Sequence, residues 1–225
     1  MGMTVGNGPF GQKPAGTWDF EPPARVTYVE PFPRRVRGML GGATVVDSDA
    51  VKLVHHSRHL PYWVFPPADV QVDATPSRAV PGFVEVKWDA VEEWYEEDER
   101  VFVHVRDPYH RVDCYSTSRR VRVTVDDVVL ADTTAAVALY ETGLPPRFYL
   151  PPEAIRMELL ERSETSTGCP YKGTASYWSA RIGDRVVDDV AWAYLDPLRD
   201  AERVRGHLCF YDDRVTVEVE PTPNS

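Results

Sequence analysis

The stretch RRVRVTVDDVVLADTTAAVALYETGLPPRFYLPPEAI, residues 119–155, has an earlier counterpart in RRVRGMLGGATVVDSDAVKLVHHSRHLPYWVFPPADV, residues 34–70. The two align without a gap, and the alignment runs on to Val72 and Met157. RRVR opens both copies; Asp47 matches Asp132, Ala50 matches Ala135, Pro61 matches Pro146, and Pro66-Pro67 matches Pro151-Pro152. Trp63/Phe148 and Val70/Ile155 keep their apolar character. Self-similarity of this kind predicts two related units, the second beginning near Arg119.

Within the later copy, Val121, Val123 and Val125 alternate with polar neighbours, the period of a half-buried strand. Asp126-Asp127 turns the chain and residues 128–131 continue as the other arm of a hairpin. Gly41-Gly42 takes that turn in the earlier copy. Asp132, Thr133 and Thr134 then offer capping groups ahead of AAVALYETG, which predicts a short helix closed by Gly143 and stopped by Pro145-Pro146. RFYLP reads as a strand again. Residues 175–182 and 185–194 predict a hairpin about Gly183-Asp184, and residues 207–211 and 215–220 a last strand pair. In the earlier copy, DAVEEWYEED, residues 89–98, predicts a helix, with Asp89 and Glu92 as a capping box and Val91, Trp94 and Tyr95 as its apolar stripe.

The expected fold class is therefore mainly β: two related small antiparallel β domains, sandwich- or barrel-like, each with a short helix, plus an extra helix in the first. The expected organisation is an irregular, Gly- and Pro-rich surface arm over 1–33, a degenerate first repeat domain over 34–118, a second repeat domain over 119–220, and a frayed tail over 221–225.

CPYKGTASYWS, residues 169–179, followed by AWAYLDP, residues 191–197, resembles the signature of the domain of unknown function 427 family. The preceding ADTTAAVALYETGLPPRFYLPPEAIRMELL and the closing GHLCFYDDRVTVEVE resemble that family too, so the likeness covers the second unit. The first unit lacks the Cys-Pro-Tyr-Lys-Gly segment and resembles a degenerate copy in a tandem arrangement. The resemblance implies small, mostly β domains of bacterial origin, and it implies no activity.

The same segment carries the densest chemistry. A thiol at Cys169 lies three residues from the ammonium of Lys172, and a cation beside a thiol favours the thiolate. Tyr171, Tyr177 and Trp178, with Trp192, Tyr194 and His207 opposite, would wall a pocket suited to a small planar or anionic molecule. The expected function is small-molecule binding at Cys169, Tyr171, Lys172, Tyr177, Trp178, Trp192, Tyr194 and His207. The alternatives are an enzyme using Cys169 or Lys172 covalently and a structural or partner-binding protein. No catalytic residue, cofactor or metal is assigned. His207 and Cys209 share a strand face but make only two ligands. His55 and His59 have the spacing of a helical ligand pair, yet the repeat places His59 past the helix end and predicts a solvated or helix-capping histidine cluster. Residues 92–99, EEWYEEDE, read as the solvated face of a helix, and one of Asp188 and Asp189 would face inward and need a partner such as an arginine. Arg34-Arg35 and Arg119-Arg120 are expected to pair with acids at the repeat junction.

Composition bounds the rest. The chain has 225 residues, 43% of them apolar and 27% charged, which is ordinary for a globular protein. A net charge of −10 repels phosphate backbones and argues against nucleic-acid binding. No apolar run approaches the ~18 residues of a spanning helix, so no membrane association is expected. The start, MGMTVGNGPF, lacks a secretory pattern, and three cysteines suggest no disulfide framework, so the expected location is the cytoplasm.

Overall fold

The structure, a computed structural model, describes residues 2–221. It divides into two compact units: one runs to His110 and takes in Thr142–Leu144, and the other comprises Arg111–Glu141 and the residues from Pro145 onward. The protein is mainly β, and its described residues form several antiparallel sheets with no closed barrel. Of the expected tail, residues 222–225 lie outside the described residues.

The first unit contains β1 (Thr27–Pro31), β2 (Val36–Leu40), β3 (Ala43–Ser48), β4 (Lys52–His56), β5 (Tyr62–Val64), the two-residue strands β6 (Thr75–Pro76) and β7 (Val84–Glu85), β8 (Glu93–Glu96) and β9 (Glu99–Val101). They form sheets ordered β1-β4-β5 and β3-β2-β8-β9 and the small pair β6-β7. The second unit contains β10 (Val112–Ser116), β11 (Val121–Val125), β12 (Val128–Thr133), β13 (Val137–Glu141), β14 (Arg147–Leu150), β15 (Leu160–Cys169), β16 (Gly173–Ile182), β17 (Arg185–Tyr194), β18 (Leu208–Phe210) and β19 (Thr216–Val219). A seven-stranded sheet, β10-β13-β14-β18-β17-β16-β15, packs against a three-stranded one, β12-β11-β19. The core between them takes the inward Val121, Val123 and Val125 of β11 and, from the large sheet, Leu150, Trp178, Ala180, Ala191, Ala193 and Phe210.

Several elements of the two units match in length, spacing and register. β1 to β4 have the lengths of β10 to β13 and precede them by a constant offset. Thr27 pairs His56 as Val112 pairs Glu141. A bulge falls between Gly38 and Met39 in one hairpin and between Val123 and Thr124 in the other. A bridge joins Val46 to Val70 and another Ala131 to Ile155, each after a 3-10 turn that follows the first proline of the Pro-Pro pair. The chain then diverges. Between β14 and β18 the second unit builds the ten-residue strands β15, β16 and β17, whereas between β5 and β8 the first unit has only β6 and β7.

All three expected helices are strands, β4 in the first unit being the counterpart of β13. Residues 137–141 form β13, buried at Val137, Ala138, Leu139 and Glu141. With Ala138 buried on one face and Val137 and Leu139 on the other, the strand loses its alternation, so its Ala- and Leu-rich run imitates a helix. Gly143, at φ +75°, turns the chain back into β14 rather than ending a helix, and Arg58 takes the matching position at φ +69°. Residues 89–98 supply one 3-10 turn, Trp88–Ala90, and then the β8–β9 hairpin, with Glu97 at φ +53°. Trp94 and Glu96 point inward at period two, so the acidic run is not a solvated helix face: Glu96 is buried against Arg34, and burial raises its pKa. β1 lies inside the stretch expected to be an irregular arm, where it pairs with β4. The arginine pairs act within each unit. Arg35 holds Asp47 through two bonds of 2.7 and 2.6 Å, and Arg120 holds Asp132 through two of 2.8 and 2.7 Å. These bidentate contacts pull both carboxyls below their usual range.

Candidate functional site

Strand alternation sends Trp178 and Ala180 of β16 into the core between the sheets and Ala175 and Tyr177 to the opposite face of the large sheet. Cross-strand register then assembles that opposite face. Val137, Tyr149, Cys209, Trp192 and Tyr177 stand in one row across β13, β14, β18, β17 and β16. Tyr194 pairs with Ala175 one step along. The Trp192 Nε1–H donates to the Tyr149 hydroxyl at 3.0 Å, and their rings meet edge to face at 6.1 Å. Tyr177 and Tyr211 stack at 6.3 Å, Trp192 lies 4.3 Å from Tyr211, and the Tyr177 hydroxyl bonds Thr167 at 2.8 Å.

A segment with one 3-10 stretch, Arg199–Val204, covers this face and buries Ala201 and Val204 in it. The Arg203 guanidinium anchors the segment on β10, donating to the Cys114 carbonyl at 2.5 Å and to Ser116 Oγ at 2.9 Å.

Two buried charged groups, Glu141 and Lys172, meet beside the cluster. Glu141 ends β13, and alternation with Val137 and Leu139 turns its carboxylate inward. Lys172 lies in the tight turn between β15 and β16, where Gly173 at φ +100° brings the backbone against Asp196 and the Lys172 carbonyl accepts from the Leu198 N–H. The Lys172 ammonium bonds Glu141 directly, and it lies 5.9 Å from the Tyr194 ring. Both side chains are at most 10% exposed. A desolvated ion pair gains less for stability than well-packed apolar groups of the same size, so its place among aromatic rings calls for another explanation.

Burial dominates the electrostatics. The Cys209 thiol is pushed up to about 12, the Cys114 thiol is raised, and the phenols of Tyr149, Tyr194 and Tyr211 are all held neutral well past the usual range. Cys209 is therefore an inert, buried thiol. At pH 8 in the folded protein it should react with iodoacetamide slower than a free thiol by on the order of a thousandfold, the ratio of thiolate fractions. Peptide mapping of alkylated samples before and after unfolding checks this.

Among the residues singled out from sequence, Lys172, Tyr177, Trp192 and Tyr194 come together in this cluster, and Cys169 packs against its edge. Tyr171 is buried in the turn. Trp178 does not join them: adjacent strand residues face opposite ways, and its ring sits in the other core with Arg162 over it. His207 lies outside as well, in the loop before β18, with Nδ1 3.1 Å from the Arg205 carbonyl. Glu141, Tyr149 and Tyr211 were not singled out. Glu141 became visible only once residues 137–141 are read at period two. The Asp189 carboxylate accepts from the hydroxyls of Ser163 and Thr165, and the Arg214 guanidinium donates to the Asp189 main-chain carbonyl instead.

The histidine cluster is not helical, and only part of it is solvated: His59 is exposed past the end of β4, as expected, but His55 is not. His55 lies in β4, fully buried, with Nε2 2.8 Å from Glu30, while His56 Nδ1 bonds the Thr27 hydroxyl at 2.8 Å. Among the described residues no group of three or more His, Cys, Asp or Glu side chains could hold a metal ion. Among the described residues no helix is long and apolar enough to cross a membrane.

The strands that build this face, from β10 to β19, coincide with one sequence family. Residues 113–221 match the Domain of unknown function (DUF427) family. The match takes in every residue of the aromatic cluster named above and the Lys172–Glu141 pair, so the site belongs to the DUF427 segment of the chain. No curated protein matches the sequence.

Proposed function

We propose that the DUF427 segment is a small-molecule-binding module whose site is the aromatic face around Lys172 and Glu141. The observation that carries the reading is the ion pair itself, buried beside Tyr194 of the aromatic cluster. The ammonium has donors beyond the one given to Glu141, and the rings supply flat apolar walls. Glu141 already neutralises the cation, which favours an uncharged planar ligand with a carbonyl acceptor over an anion.

A thermal-shift panel of one- and two-ring carboxamides, ketones and carboxylates on the full chain tests this. The expected result is a rise in melting temperature with the carbonyl compounds that disappears in the Lys172→Met/Glu141→Leu double variant. No rise with any class, or a rise that survives in the double variant, would overturn it.

The first unit reads as a shortened, degenerate copy in a tandem arrangement. The constant offset of β1 to β4 from β10 to β13, with matching register and bulge, supports this. The copy lacks strands equivalent to β15, β16 and β17, and with them this site.

A further inference from the structure

The first unit holds a cavity of its own. It has a volume of about 220 Å³ and is walled by Trp63, Phe65, Trp88 and Trp94, with Val103 and His104 on the rim. The three indoles lie 5.5 to 6.1 Å from one another, and Phe65 stacks on Trp94 at 6.0 Å. Its position follows from the fold. In the second unit, long strands fill the core with Trp178, Ala180 and Ala191, but the first unit runs only β6 and β7 through the corresponding stretch of chain.

Three features point to a ligand. The Trp63 indole N–H is buried and has no acceptor among the described residues, although its neighbour Trp94 donates to the Trp88 carbonyl at 3.0 Å. Buried donors are almost always answered, so this one marks a place for an acceptor from outside. No carboxylate, ammonium or guanidinium lines the cavity, and burial lowers the His104 pKa, so the walls carry no charge at neutral pH. Val103, a β-branched residue, is held at φ +70° on the rim, a conformation that the surroundings must impose.

We propose that this cavity binds a small uncharged planar molecule of one or two rings, whose acceptor atom takes the Trp63 Nε1–H. A cavity of ~150 Å³ holds benzene, so the volume here admits a fused bicycle. Aromatic walls on three sides favour flat rings through stacking and edge contacts. The site is separate from the Lys172 cluster and stands whether or not that reading holds.

Quinoline and naphthalene have the same shape, and only quinoline carries an acceptor. Each is titrated into the ¹⁵N-labelled full chain while the signals of the six tryptophan indoles are followed. Trp63→Phe, which keeps a ring and removes the donor, assigns the Trp63 signal. The expected result is a saturable shift of the Trp63 Nε1–H with quinoline, and binding about fivefold tighter than for naphthalene, the worth of one hydrogen bond. In Trp63→Phe the ratio of the two affinities falls to about one, whatever the smaller ring does to naphthalene binding itself. The absence of a saturable shift at Trp63, or equal affinities of the two probes for the native protein, would overturn the proposal. That comparison needs no variant and decides the matter even if Trp63→Phe fails to fold.

Discussion

Glu141→Leu is expected to destabilise the second unit by about 3–5 kcal/mol, the cost of leaving one member of a buried ion pair without its partner. The substitution strands the Lys172 ammonium beside Tyr194, in surroundings where its nearest groups are rings and a turn of backbone. Lys172→Met should cost a similar amount for the mirror reason, since the Glu141 carboxylate is then buried without its cation. The double variant behaves differently. With both charges gone, methionine and leucine fill comparable volume among Val137, Leu139 and Tyr194, and stability should return to within about 1 kcal/mol of the native protein or rise above it. Urea unfolding of the four proteins followed by far-ultraviolet circular dichroism closes this cycle. Additive losses in the double variant would mean that each side chain stabilises the fold independently and that the pair has no special character.

Trp94→Ala is expected to be the most damaging single truncation in the first unit, costing about 3–5 kcal/mol. Trp94 is 2% exposed, stacks on Phe65 and Trp88, and ties its indole N–H to the Trp88 carbonyl. Its strand, β8, pairs with β2 with Gly38 opposite Trp94, and a side chain at Gly38 would meet the Trp94 ring at 3.2 Å. The glycine makes room for the indole, so the neighbours cannot close the space left by alanine. Chemical denaturation should show the loss as a lower midpoint without change of slope. A loss below about 1 kcal/mol would show that the tryptophan cluster collapses freely, against the packing described.

How far sequence alone reached depended on which faces of each strand are covered. β11 and β19 have one face toward the core, so Val121, Val123 and Val125, and Val217 and Val219, announce their strands by alternation. β13 is buried at four of its five positions, Ala138 included, so its alternation is broken, and capping residues ahead of it completed a false helical pattern. β8 was hidden because Glu96, a core-facing carboxylate answered by Arg34, broke the apolar–polar rhythm. The site followed the same logic. Lys172, Tyr177, Trp192 and Tyr194 stood out as a dense polar-aromatic segment, yet grouping Trp178 with Tyr177 ignored the period of two that separates them. Glu141 stayed hidden behind the misread helix. Tyr149 and Tyr211 come from distant strands that only register brings to the same face.

Chemical-shift mapping tests the central claim most directly. A compound from the carbonyl panel that stabilises the full chain is titrated into ¹⁵N-labelled protein, and the perturbed residues are located. The expected perturbations centre on Glu141, Lys172, Tyr177, Trp192 and Tyr194 and saturate together. Perturbations that leave those five unmoved, or that gather instead around the tryptophans of the first unit, would contradict the placement of a ligand at the buried ion pair.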